Sequence, residues 1–270
     1  MSDRERVIML VNLALVALGL SLVVHLPPVV LRLPTLNLSL IITEDWFLAA
    51  VAVLLVWGGI DALVRAHPQV DRADVTYTVT FWILPGFLLV GAAFFLNQVP
   101  DLVTGLIGLG GTGALLAAVI LAEYHTINPE DRLSGPARLA LNLAVYLVAF
   151  LVFTMVYSTK ARSILSASTI LVVSTLLALE LLRGTERGAL RTWFFALISG
   201  LIMGEVTWAL NYWAVGQLVG GLLLLLVFYV LTGVGQQYLA RRLSAWVVAE
   251  FAITATIGLL VVNSMLHLGW

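Results

Sequence analysis

The 270-residue chain is 61% hydrophobic and only 11% charged, with a mean hydropathy of +1.05, whereas soluble domains run near about 45–50% apolar and 25% charged. A soluble fold of this length cannot hide so much apolar surface, so lipid must serve as solvent for much of it. A net charge of −1 leaves no basic field for nucleic acid, and the lack of cysteine excludes a disulfide framework, a thiolate metal site and a thiol nucleophile.

A short charged start, Asp3-Arg-Glu-Arg6, precedes an apolar run from Val7 to Val24. His25-Leu-Pro-Pro follows in place of a small-residue cleavage site, which reads as a retained first span. Prolines interrupt residues 25 to 45 too often for a span. Leu36-Asn-Leu-Ser-Leu40 alternates with period two, as an extended piece on the membrane surface would, and Asn37-Leu-Ser39 matches a glycosylation sequon. Further apolar runs lie at 46–64, 75–96, 102–124, 137–156, 164–182, 190–212, 215–236 and 245–266. Each has roughly the 20 residues that a helix needs to cross a 30 Å hydrocarbon core. The expectation is an all-α polytopic bundle of about nine transmembrane helices forming a single domain over 1–270.

Lys and Arg placement sets the expected orientation. With the N-terminus inside, Arg4, Arg6, Arg65, Arg72, Arg132, Arg138, Arg183, Arg187, Arg191, Arg241 and Arg242 are cytoplasmic. Arg32, Lys160 and Arg162 alone fall outside, a strong positive-inside bias that predicts N-in, C-out.

At an offset of 114, Gly86 aligns with Gly200, Phe94 with Trp208, Leu96 with Leu210, Asn97 with Asn211 and Tyr124 with Tyr238. This pattern suggests a first span and outer surface loop (1–45) followed by two parallel four-helix repeats, 46–156 and 164–266.

The residue that stands out is Glu205, about 6 Å from the middle of the seventh span by helix rise. An ionised carboxylate there costs about 2.5–3.5 kcal/mol or more, so it must be protonated, paired or wet. Trp208 and Tyr212 follow on the same helix face, Asn211 closes the segment, and Gly200 and Gly204 form a small-xxx-small pair for close helix approach. These are the candidate substrate or proton site, with the alternative that Glu205 is a protonated structural group. Pro85-Gly86 predicts a kink within the third span, of the kind transporter sites use and packing also produces. Gly105, Gly108, Gly110, Gly111 and Gly113 crowd the fourth span. Gly108 to Gly113 satisfies G-x-G-x-x-G, but the dinucleotide reading needs a preceding strand that this segment lacks, so close packing or a pore-lining segment remains. Asp61, Glu123, Glu180 and Glu250 lie near the inner span ends, with Asp61–Arg65 and Glu180–Arg183 spaced for helix-end ion pairs. Glu250 and Glu180 are the secondary candidates for a buried acid or an inner vestibule.

Enzyme readings fail on the spacing of their parts. Asp71-Arg-Ala-Asp74 has no second acidic motif for magnesium-dependent prenyl chemistry, and no G-x-S-x-G exists. Glu180-Leu-Leu-Arg183-Gly faintly matches the first motif of CAAX-type intramembrane proteases, without the later histidines. His25, His67, His125 and His267 divide between the two sides and cannot share one metal. No catalytic residue, metal or cofactor is expected.

Gly204-Glu205-x-x-Trp208-x-Leu210, with the Tyr229 helix after it, resembles a family of uncharacterised bacterial integral membrane proteins over spans seven to nine. The resemblance implies a bacterial inner-membrane location and brings no activity. The functional expectation is a small transporter or permease-like protein around the intramembrane carboxyl. The alternatives are a scaffold or accessory subunit with membrane-protein partners or further copies of itself and, third, an intramembrane enzyme.

Overall fold

The computed structural model describes residues 3–20, 29–33, 38–42, 44–67, 70, 75–98, 101–128, 130–158, 163–183, 189–213 and 215–267. The sequon Asn37, the Asp71–Asp74 motif, His25, Arg72, Arg187, Lys160 and Arg162 lie outside them.

The described chain is helical apart from one ribbon. Its elements are α1 (Asp3–Leu20), β1 (Val29–Leu33), β2 (Leu38–Ile42), α2 (Glu44–Arg65), α3 (Val75–Thr80), α4 (Ile83–Gln98), α5 (Leu102–Ile127) and α6 (Ser134–Ser158). Then come α7 (Ser163–Leu182), α8 (Ala189–Leu210), α9 (Gln217–Leu239) and α10 (Ala245–His267). Strands β1 and β2 pair antiparallel, Val29 opposite Ile42 and Leu33 opposite Leu38, so the described part of the period-two segment, residues 38–40, is extended as its alternation predicts. Among the described residues, eight helices are long and apolar enough to cross a membrane, α3 and α4 counting together. The 18-residue α1 carries Asp3, Arg4, Glu5 and Arg6 in its first turn, which sets it apart from those eight.

Two compact units divide the chain, Met1–Leu141 and Asn142–Trp270, with the boundary inside α6. In the first, α1, α2, α4 and α5 close on Leu18, Ile60, Leu89, Leu116 and Ile120, all at most 1% exposed. The glycines let these helices meet: Gly59 faces Leu10, Gly113 faces Leu15 and Gly19 faces Leu109. The last two contacts run in opposite directions along the chain, so α1 is antiparallel to α5 and lies in the same layer as the spans.

In the second unit, α7 and α8 make the most extensive helix pair. A Cβ on Gly200 would collide with Thr175 and come 2.6 Å from the Leu171 carbonyl, and one on Gly204 would stand 3.2 Å from Leu171 Cβ, so only the missing side chains permit this approach. Phe153, Tyr157 and Phe228 are fully buried, and the Phe153 and Phe228 rings meet edge to face at 5.5 Å. Tyr157 lies against Gly220, and its hydroxyl donates to the carbonyls of Leu210 and Trp213 at 3.2 Å each, beside the Trp213 and Val215 amides that reach the same two carbonyls at 3.0 and 2.9 Å.

The two units share one detail. Gly86 of α4 lies against Trp57 of α2, and Gly200 of α8 lies against Leu171 of α7. Both members of the second contact are 114 residues after those of the first, the offset at which the sequence aligns.

Candidate functional site

The third span is not one helix. α3 ends at Thr80, and Phe81 and Trp82 form a turn in which the Phe81 and Trp82 amides donate to Thr78 and Val79 at 3.2 and 3.1 Å. α4 then begins at Ile83, with Pro85 and Gly86 in its first turn, where proline is tolerated. The interruption therefore falls one turn before the proline. Pro85 has no N–H for the carbonyl four residues earlier, Phe81, so the ladder fails there and not at the proline itself. The next carbonyl, Trp82, accepts twice: from the Gly86 amide at 3.0 Å and from Trp57 Nε1 at 2.8 Å. The Trp57 and Trp82 rings stack at 5.5 Å and 17°. A Cβ on Gly86 would stand 3.0 Å from Trp57 Nε1, so the glycine makes room for the indole that binds the broken turn. Trp57 and Trp82 carry no motif, and their 25-residue separation hides their pairing from a sequence reading.

Glu205 lies five residues inside the Leu210 end of α8, about 8 Å of helix rise. It is exposed, within a stripe in which Phe194, Leu201, Trp208 and Tyr212 are 60%, 51%, 46% and 78% exposed. Positions 199, 200, 203, 204 and 207 of the same helix are buried. The small-residue pair thus serves the α7 contact, while the carboxylate stands away from it. Asn211 is half-buried, and its Nδ2 donates to Ser166 Oγ at 2.7 Å, tying the end of α8 to the start of α7.

Within the second unit, Glu180 and Glu250 do not join Glu205. Glu180 has a side chain only 2% exposed and takes Arg183 Nη2 at 2.9 Å, while Gln236 Nε2 of α9 donates to the adjacent Leu181 carbonyl at 2.8 Å. Glu250 is exposed five residues into α10. Because successive spans run antiparallel, the α7 C-terminal and α10 N-terminal ends lie toward the edge opposite the Leu210 end of α8. Asp61 pairs with Arg65 at 2.8 Å, as its spacing predicts. In α5, a Cβ on Gly108 would stand 2.6 Å from Phe95 and one on Gly113 would stand 2.7 Å from Leu15, whereas Gly110 and Gly111 face open space.

Outside the spans, Asp101 caps α5 by accepting from the Thr104 amide at 2.8 Å, and that bond holds its carboxyl below the usual range. Asp131 accepts from the Leu133 amide at 3.1 Å and meets His125 Nδ1 at 2.6 Å. The amide first and the imidazole second lower its pKa.

A family model described as a protein of unknown function, DUF5656, matches residues 9–265. The chain belongs to this family. No curated protein and no solved structure matches it. The DUF5656 match takes in α2 to α9 whole and most of α1 and α10, so the likeness to an uncharacterised polytopic membrane family extends well beyond spans seven to nine. Within DUF5656, this chain is a multi-pass membrane protein whose setting is the lipid bilayer.

Proposed function

We propose that the protein is a non-catalytic membrane subunit that assembles through the exposed stripe of α8, either with another membrane protein or with its own copies. The observation that carries this reading is Glu205, an exposed carboxylate among lipid-facing apolar residues. A charge at that depth is costly unless a partner's polar group, a proton or water covers it. Assembly provides such cover, and it accounts for a stripe that mixes one acid with Trp208 and Tyr212 at the membrane edge. The same reading places the chain in a bacterial inner membrane with the N-terminus cytoplasmic, supported by the positive-inside bias of the arginines. The absence of native cysteine makes the test direct. Leu201→Cys is crosslinked in native membranes with Leu260→Cys on α10 as reference. Crosslinks from position 201 that Glu205→Leu weakens are expected. A monomer with no crosslinks from position 201 would overturn the reading.

The broken third span favours a second reading, a small transporter that uses Glu205 as a proton or substrate group. Melting of wild type and Glu205→Gln across pH and a small-ligand panel addresses it, since a ligand of the native state raises Tm by mass action. A response present in wild type and lost in the variant supports transport. Identical behaviour of the two proteins counts against it. The repeats 46–156 and 164–266 belong to this reading as well, supported by the shared 114-residue offset of the Gly86–Trp57 and Gly200–Leu171 contacts.

A further inference from the structure

An apolar hollow in the second unit lies between α6, α9 and α10, with a volume of about 420 Å³. Its α9 wall runs from Leu222 to Tyr229 and its α10 wall from Thr254 to Val262, about 10 and 12 Å of helix rise. The middle of α9 is Phe228, so the hollow occupies one half of the span, from near the α8–α9 connection to the bilayer centre. One leaflet's share of a hydrocarbon core of about 30 Å has that depth. At the centre an aromatic floor closes it: Tyr146 and Tyr229 meet at 5.6 Å, Tyr229 and Phe251 at 5.6 Å. Beyond the floor Phe251 packs directly on Gly233, bringing α9 and α10 together.

Of the three hydroxyls on the lining residues, those of Tyr146 and Thr254 are already bonded, which leaves that of Tyr229. The Tyr146 hydroxyl shares a hydrogen bond with Thr232 Oγ1 at 3.1 Å, and Thr254 Oγ1 donates to the Glu250 carbonyl at 2.9 Å. A hollow lined this way gives water too few partners to hold it. Left empty, its walls would forgo the dispersion contacts that packed atoms supply. We propose that this cleft is a lipid-tail site, holding one acyl chain of a phospholipid from the leaflet into which the α8–α9 connection opens. Gly258 and Val261 shape its α10 side, and the aromatic floor sets the chain length that fits. The site lies on different helices from the Glu205 stripe and does not depend on how that stripe is used.

The test is photolabelling of the full chain in phosphatidylcholine–phosphatidylglycerol vesicles containing a phospholipid with a diazirine at mid-chain, followed by peptide mapping. Label is expected to concentrate several-fold on Leu225, Leu226 and Val261 over Ile253 and Leu260, which are 60% and 63% exposed on α10 outside the cleft. Val261→Trp, which fills the cleft, should remove that excess, and Leu260→Trp should leave it. If Val261→Trp does not fold, Leu225→Trp fills the same space from α9. Even labelling around α10, or equal loss in the Val261 and Leu260 variants, would overturn the proposal. Loss of label as protein density rises in the vesicles would also overturn it, by assigning the cleft to a second copy of the chain.

Discussion

Trp57 Nε1 donates to the Trp82 carbonyl at 2.8 Å while the two indoles stack at 5.5 Å, so one side chain both bonds and covers the break in the third span. Trp57→Phe keeps most of the ring and loses the bond, and should lower stability by about 1 kcal/mol. Trp57→Ala removes the ring as well and should cost about 3 kcal/mol or more. Gly86→Ala forces the indole away from the carbonyl, so its effect should overlap with that of Trp57→Phe in a double-mutant cycle. Thermal or denaturant unfolding of the purified protein measures all three.

Glycine substitutions should divide by what faces each one. Gly200→Ala drives a methyl into Thr175 and the Leu171 carbonyl, backbone that cannot yield, and should cost about 1–3 kcal/mol. Gly204→Ala, with its nearest neighbours at 3.2 and 3.3 Å, should cost less. Gly110→Ala and Gly111→Ala meet nothing within 4 Å and should be neutral or stabilising by up to about 1 kcal/mol through helix propensity. A Gly200→Ala protein as stable as Gly110→Ala would contradict the α7–α8 contact.

The apolar runs alone place α2, α5, α7 and α8 within about three residues of their ends, because a span in lipid has no other way to satisfy its backbone. The side each helix turns to lipid is not legible in the same way. Leucines face the bundle at Leu177 and the bilayer at Leu201, so hydropathy does not separate the two. Gly200, Gly204 and Glu205 are neighbours in the sequence of α8, yet the glycines belong to the α7 contact and the acid to the exposed stripe. The hydroxyl of Tyr157 serving the end of α8 is a tertiary contact across 53 residues with no local signal.

Tyr157→Phe should lower stability by about 0.5–1.5 kcal/mol, since it removes one donor from the Leu210 and Trp213 carbonyls. Hydrogen exchange should rise first at the α8–α9 connection. Unchanged exchange there would separate the hydroxyl from the helix end.

The buried Glu180–Arg183 pair makes a sign-sensitive prediction. Glu180→Leu leaves the guanidinium without its carboxylate and should cost about 3–5 kcal/mol, whereas Glu180→Leu with Arg183→Leu should recover much of that loss. A double variant less stable than the single one would show that Arg183 is held chiefly by other groups.

Asp101 and Asp131 give the stability its acid limb. Both carboxyls are held below their usual range in the folded protein. Their contribution is therefore present above the unfolded-chain pKa of about 3.9 and is lost as pH falls through the lowered folded values. Asp131→Asn should lower Tm at neutral pH, and the gap from wild type should close as pH falls through the lowered Asp131 value. A gap independent of pH would assign the effect to packing.

The ribbon of β1 and β2 has a consequence for where the chain sits in depth. Two strands satisfy each other along one seam only, so each outer edge keeps a row of amides and carbonyls with no partner inside the ribbon. In hydrocarbon every such group would cost several kcal/mol, and a ribbon left open at both edges cannot submerge. Its edges therefore need water, headgroups or other protein backbone beside them, which keeps the ribbon away from bare lipid tails.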